Sequence, residues 1–258
     1  MKILKRLILS FAMYSRIPVP VIPMEEEDMA VSLTFFPLVG AVIGLLTALL
    51  NLPEQLRQIP AAARILLTVT IPILVTGGFH LDGFMDTEDA LRSYASTEKR
   101  LEILKDPHIG AFAVIGLIRV LLLFGAAVTC ILLKEDNTRE IIILSAIYVT
   151  ARSISALAAL FFKKAKRDGM LVRETENGHR SVAAGAILFL VLSTSVILCT
   201  EPARGLCVLA AFGACLIGYR IRSYRIFGGV TGDTAGHFLV SSETAAACAL
   251  ALASLLFP

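Results

Sequence analysis

Long, nearly continuous apolar runs dominate the 258-residue chain, in place of the period of two of a half-buried strand or the short amphipathic repeat of a soluble helical domain. They fall at about 33–52, 61–79, 110–133, 141–162, 181–200, 203–219 and 238–257. Each approaches the roughly 20 residues a helix needs to cross about 30 Å of hydrocarbon. The pattern predicts an all-α, polytopic integral membrane bundle of seven transmembrane helices, the second and sixth being the shortest. Residues 1–14 are basic and apolar, lack a small-residue cleavage site and run into Arg16-Ile17-Pro18, which reads as an interfacial helix rather than a signal peptide. With no internal repeat, low-complexity linker or second domain, residues 1–258 are expected to form one integral membrane catalytic domain.

Composition narrows the class. Hydrophobic residues make up 56% of the chain and charged residues 17%, against roughly 25% charged in soluble domains. This excludes a soluble globular enzyme, a disordered chain and a disulfide scaffold, and a net charge of +3 excludes a nucleic-acid module. The five cysteines lie in or beside apolar runs without a C-x-x-C spacing and read as inert buried thiols. Charge distribution says more than net charge. Of the 24 Lys and Arg residues, 17 fall in alternate segments starting from the N-terminus, five in the intervening ones when Arg64 and Arg204 at the span edges are counted there, and Arg119 and Arg152 lie deep inside spans. The positive-inside rule then predicts a cytoplasmic N-terminus and an external C-terminus. Three long polar loops, at about 80–109, 163–180 and 220–237, would all face the cytoplasm, and chemistry is expected there.

The first of these carries Gly77-Gly78-Phe79-His80-Leu81-Asp82-Gly83-Phe84-Met85-Asp86-Thr87-Glu88-Asp89. At about 100° per residue, Asp82, Asp86 and Asp89 span an arc of roughly 60° on one helical face. Like charges at this spacing repel, so the face calls for a cation, and an incomplete set of hard oxygen ligands suits Mg²⁺ that also holds water and substrate phosphates. The alternative is an acidic helix start in water. Glu88 points away and is expected to be solvated. Gly77, Gly78 and Gly83 give backbone room for a phosphate.

The third loop runs from Arg220 through Gly228-Gly229-Val230-Thr231-Gly232-Asp233 to His237. It reads either as a second phosphate element, with Gly228, Gly229, Thr231 and Gly232 around the anion and Asp233 as a further metal oxygen, or as a tight turn at the membrane surface. Glu243, inside a span, has either a functional role or an arginine partner. Arg119 and Arg152 either pair with it or reach a bound phosphate. His80 and His108 are candidate bases or donors, or solvated loop histidines. The whole suits phosphoryl-linked group transfer and leaves the substrate open.

Gly77-Gly78-Phe79-His80 with Asp82-Gly83, Asp86 and Asp89, followed by Arg100 to Asp106 and Ile109-Gly110, resembles the signature of the cobalamin synthase family, the adenosylcobinamide-GDP ribazoletransferases. Ser15-Arg16-Ile17-Pro18, Phe35 to Gly40, Arg167-Asp168-Gly169, and the run from Gly228-Gly229 to Gly236 and Glu243 agree, in the expected order. The resemblance implies an Mg²⁺-dependent enzyme in the cytoplasmic membrane of a prokaryote, joining adenosylcobinamide-GDP to the 3′-hydroxyl of α-ribazole or its 5′-phosphate with release of GMP. It implies the lipid bilayer as environment, no nucleic-acid partner, and is compatible with a homo-oligomer. Asp82, Asp86 and Asp89 would hold Mg²⁺ with Asp233, and Lys105, Arg152 or Arg16 would stabilise transition-state charge. Leu81 stands where relatives often carry Glu, and His237 where a small residue is usual. A membrane CDP-alcohol phosphotransferase would need an Ala-Arg soon after Asp-Gly, which Phe84-Met85 lacks. A secondary transporter would place its polar groups near the midplane, whereas 20 of the 21 carboxylates lie outside the predicted spans.

Overall fold

A computed structural model describes residues 2–23, 28, 31–166, 169–175 and 179–257. The expectations on Arg167 and Asp168 lie outside the described residues. Helix α1 spans Lys2–Tyr14; a 3-10 turn, Leu33–Phe35, leads into α2, Phe36–Asn51. Then follow α3 Ala61–Thr76, α4 Phe79–Arg92, α5 Thr97–Ile103, α6 Ala111–Leu132, α7 Thr138–Phe161, the single turn α8 Met170–Arg173, α9 His179–Thr200, α10 Pro202–Phe227 and α11 Gly232–Leu256.

Six of these helices are long and apolar enough to cross a membrane, and the pair α3 and α4, bent by 94°, raises the number to seven. Chain connectivity makes α3 a crossing. At one end of the bundle, Arg16 N–H donates to Val75 O at 2.8 Å, Tyr14 reaches Glu174, and Lys164 pairs with Val230 in a short parallel bridge. At the other end, Arg139 pairs with Glu201 at 2.9 Å, while Arg204 bonds both Glu140 (2.8 Å) and the Phe257 carbonyl (2.7 Å). Segments gathered at the first end are those before α2, after α3, after α7 and after α10. An odd number of crossings is the arrangement that does this. Exposed leucines, isoleucines and valines on α3, α6 and α9 form an apolar exterior, whereas α7 and α11 run through the centre.

Two helix contacts set the core. Along α2, a Cβ on Gly40 or Gly44 would sit 2.4 Å from the carbonyls of Tyr148 and Ser145, so small residues let α2 and α7 touch backbone to backbone. Helix α11 packs against α4, α6, α7 and α10, which brings its N-terminus to the acidic segment.

The 220–237 segment is the main departure from expectation. In place of a long loop, α10 continues to Phe227 and α11 begins at Gly232. The 26 residues of α10 rise about 39 Å, so the end bearing Arg220, Arg222 and Arg225 projects beyond the hydrocarbon without ceasing to be helical. Polar side chains end an apolar run; they do not end a helix. What ends it is Gly228, in the left-handed region at φ +75°, and what starts the next is Thr231, whose hydroxyl accepts from Thr234 N–H in a capping box.

Candidate active site

The site is built at the α3–α4 corner. Gly77 and Gly78 adopt φ +66° and +83°, values that side chains rarely tolerate, and these two residues turn the chain off the end of α3. Arg16 packs across the corner where a Cβ on Gly77 would stand 2.3 Å from its Cγ. Helix α4 then lies across this end of the bundle with two distinct sides. Gly83, Phe84, Thr87 and Glu88 are buried against α11 and α6, whereas Asp82 is exposed and Asp86 and Asp89 are half-buried. Gly83 is the point of closest approach, since a Cβ there would lie 2.9 Å from Asp233 Cα. Its missing side chain is what lets Asp233, in the first turn of α11, join the acidic side of α4.

Asp86 feels this crowding. Burial first, then the like charges of Asp82, Asp233 and Asp89, push its carboxyl up to about 6. Neither Asp82 nor Asp86 has a side-chain hydrogen bond or ion pair among the described residues. Asp82 and Asp233 open into a cleft of about 240 Å³ whose lining also includes Lys164 and Lys166. Among the described residues, no group of three or more His, Cys, Asp or Glu side chains stands close enough to hold a metal ion by itself. Magnesium commonly takes only one or two carboxylates and completes its shell with phosphate oxygens and water. The donor set here fits that mode, not a protein cage.

The model matching this chain is that of cobalamin-5-phosphate synthase, over residues 6–251. The chain belongs to that family. It is 40% identical to the adenosylcobinamide-GDP ribazoletransferase of Lachnoclostridium phytofermentans over 257 residues, covering 98% of this chain and 95% of the relative. Against the proteins of the same name from Azorhizobium caulinodans and Pseudomonas syringae pv. syringae it is 34% and 32% identical, over 86% and 92% of this chain and 86% and 93% of theirs. No solved structure matches it. As a family member the chain is a multi-pass membrane transferase of cobalamin biosynthesis, which sets aside the transporter and CDP-alcohol alternatives.

Within this family member the acidic segment divides its labour. Asp89 does not stand open like Asp82. Its Oδ2 accepts from Gly110 N–H and its Oδ1 from Ala113 N–H, both at 2.8 Å. Gly110 is the residue before α6 and brings no side chain to cap it, so Asp89 caps that helix from a distance. Glu88 is the opposite of solvated. It is 5% exposed and takes Arg119 Nη2 at 2.8 Å on Oε1, with His237 Nε2 3.2 Å from the same oxygen. Burial pushes its carboxyl up, yet the bonds from His237 and Arg119 prevail and hold it below the usual range. His237, stacked on Phe84 at 5.0 Å, thus tethers α11 to α4.

The remaining expected residues disperse. Arg152 is 1% exposed and is bound to Glu243 at 2.6 Å and to the Tyr148 carbonyl at 3.0 Å, inside the bundle rather than over the acidic cleft. Lys105 is exposed just past α5, and His108 is exposed and bonded to Asp106. His80 is buried between Phe36 and Phe79; burial, with the charge of Arg152, lowers its imidazole to about 3, so it is neutral. In the glycine turn, the N–H groups of Gly229, Val230 and Thr231 are spent on Ser223 O, Lys163 O and Thr234 Oγ1. Gly228, in the left-handed region, and Gly229, pressed on Lys163–Ala165, therefore act as a tight connector. Thr231 is the cap of α11, while Gly232 faces the cleft beside Asp233.

One group escaped the sequence reading. Glu174, just after α8, is 4% exposed and accepts from the Tyr14 hydroxyl at 2.8 Å. The two are 160 residues apart, and a Glu in a loop full of Lys and Arg carries no local sign of burial.

Proposed function

We propose that the chain performs its transfer at the α4–α11 acidic face, with the corrinoid diphosphate in the cleft between Asp82, Asp233, Lys164 and Lys166. As an adenosylcobinamide-GDP ribazoletransferase it joins adenosylcobinamide-GDP to α-ribazole or its 5′-phosphate and releases GMP. The observation that carries the placement is the pair Asp82 and Asp86, unneutralised carboxylates held near Asp233 against their own repulsion. Carboxylates kept together at that electrostatic cost fit a divalent cation shared with phosphate oxygens. Asp82 and Asp86 would hold Mg²⁺, with Asp233 alongside, and Asp89 would orient the face from its cap on α6.

A Mg²⁺ held by these carboxylates would supply positive charge to the diphosphate. Lys164 and Lys166, in the lining of the same cleft, bind diphosphate oxygens. Gly83 keeps α4 close enough to α11 for both helices to contact one diphosphate. The α-ribazole 3′-hydroxyl is aligned on the phosphorus nearer the corrinoid, opposite the bond to GMP. In this reading the acidic end of the bundle is the cytoplasmic one, the whole chain is one catalytic unit, and the exposed apolar sides of α3, α6 and α9 rest in the bilayer.

The test is GMP release by detergent-solubilised protein supplied with adenosylcobinamide-GDP. Release that requires both α-ribazole (or its phosphate) and Mg²⁺ is expected. Well-folded protein that forms no GMP with both present contradicts the proposal, and GMP formed without any acceptor would make the reaction a hydrolysis.

A further inference from the structure

Beside the acidic cleft lies a second, smaller chamber of about 70 Å³, lined by Tyr14, Phe36, His80, Glu174 and Gly236 among others. Cleft and chamber share Phe79, Leu171, Gly232 and Gly236, so the space holding Glu174 adjoins the diphosphate site. The α8 turn makes this arrangement: Leu171 and Val172 line the cleft, and the next residues carry the chain inward so that Glu174 enters the chamber. Among the described residues, no cation pairs with Glu174; its one hydrogen bond is from Tyr14, whose hydroxyl also lies 3.3 Å from Ser32 Oγ. A buried carboxylate without a cation is costly, and anchoring Tyr14 does not require a charge.

We propose that Glu174 is the general base of the reaction, taking the proton of the attacking ribose hydroxyl. The inference rests on the placement of the diphosphate proposed above. The O3′–P bond forms as the P–O bond to GMP breaks, the bonding pair leaving on GMP. The hydroxyl proton passes to a Glu174 carboxylate oxygen and from there to water. Geometry supports the role, because the buried Glu174 lines a chamber that adjoins the cleft through Phe79, Leu171, Gly232 and Gly236. Its chemistry agrees: burial pushes the carboxyl up to about 7, with the Tyr14 hydrogen bond pulling the other way, and a base poised near neutrality is the most effective one. The groups facing it are Tyr14 on α1, neutral His80 on α4, Ser155 on α7 and the backbone of α11 at Gly232 and Gly236.

The test is the pH dependence of GMP release between about pH 5.5 and 9, at saturating Mg²⁺ and substrates, for the full-length protein and three variants. Wild-type kcat is expected to rise through a limb with its midpoint near 7. Glu174→Gln keeps the acceptor for Tyr14 and the shape of the side chain; it is expected to lower kcat by about 100-fold or more and to abolish the limb, with KM little changed. Glu174→Asp, which restores a carboxylate, is expected to regain a limb. Tyr14→Phe removes a hydrogen bond that favours the charged form, and so moves the limb to higher pH. A Glu174→Gln enzyme that keeps the wild-type limb overturns the proposal, as does a limb unmoved in Tyr14→Phe. Absence of GMP from the wild type itself would instead overturn the underlying placement.

Discussion

Replacing Asp89 separates the two roles that one helical face assigns to three aspartates. Both of its carboxylate oxygens are occupied by N–H groups at the α6 N-terminus, those of Gly110 and Ala113, at 2.8 Å each. Charge-assisted hydrogen bonds contribute about 1.5–3 kcal/mol apiece, and a lost helix cap about 0.5–2 kcal/mol. Because Asp89 is half-buried and water can re-enter, Asp89→Ala is expected to destabilise by about 2–4 kcal/mol in total. Asp89→Asn keeps one acceptor oxygen and should lose about 1 kcal/mol. Gly110→Ala offers an independent check without touching a charge, since its Cβ would fall 2.6 Å from Asp89 Oδ1 and displace the carboxylate. Thermal unfolding in detergent, read by intrinsic fluorescence of a single introduced Trp or by aggregation onset, should rank wild type above Asp89→Asn, above Gly110→Ala and Asp89→Ala. At a temperature where Asp89→Asn is folded, its Mg²⁺ requirement should match that of the wild type. An Asp89→Asn protein of unchanged thermal stability that needs at least tenfold more Mg²⁺ would refute the assignment of this carboxylate to capping.

Three further outcomes follow from the packing. Arg152→Met leaves the Glu243 carboxylate buried and unpaired, which should lower stability by about 3–5 kcal/mol, whereas Arg152→Met with Glu243→Met should recover most of it; equal losses in the single and double variants, compared by thermal unfolding, would contradict this. Gly83→Ala inserts a methyl 2.9 Å from Asp233 Cα and should reduce GMP release by at least about tenfold with membrane levels unchanged; full activity would mean that α4 and α11 need not touch. A cysteine introduced at exposed His108 of an otherwise cysteine-free protein should react with an impermeant maleimide in inverted vesicles but not in intact cells, and the reverse labelling pattern would turn the bundle over.

Much of the architecture is legible in the sequence because a span announces itself. A stretch of about 20 apolar residues has few other uses, and the seven runs correspond to α2, α3, α6, α7, α9, α10 and α11. Helical spacing likewise places Asp82, Asp86 and Asp89 on one side of α4. Spacing determines which side of a helix a residue occupies, but not what that side meets. Asp89 meets a helix start 21 residues away, a pairing whose only local sign is that Gly110 has no side chain to cap α6. Glu88, read as solvated, faces Arg119 and His237 because α4 is covered on its inner side by α6 and α11. Tyr14 and Glu174 come together only when the bundle closes. The reading of 220–237 as a loop failed for a different reason: hydropathy finds where lipid ends, and α10 runs on past that point.

The central claim is that Asp82 and Asp86 bring Mg²⁺ to the diphosphate. Its most direct measurement is the Mg²⁺ dependence of GMP release for wild type, Asp82→Asn and Asp86→Asn, each shown to be inserted and to unfold at the wild-type temperature. The account predicts that both variants lose at least about 100-fold in kcat/KM and shift the Mg²⁺ dependence to higher concentration. Either variant retaining wild-type turnover with an unchanged Mg²⁺ requirement would contradict it.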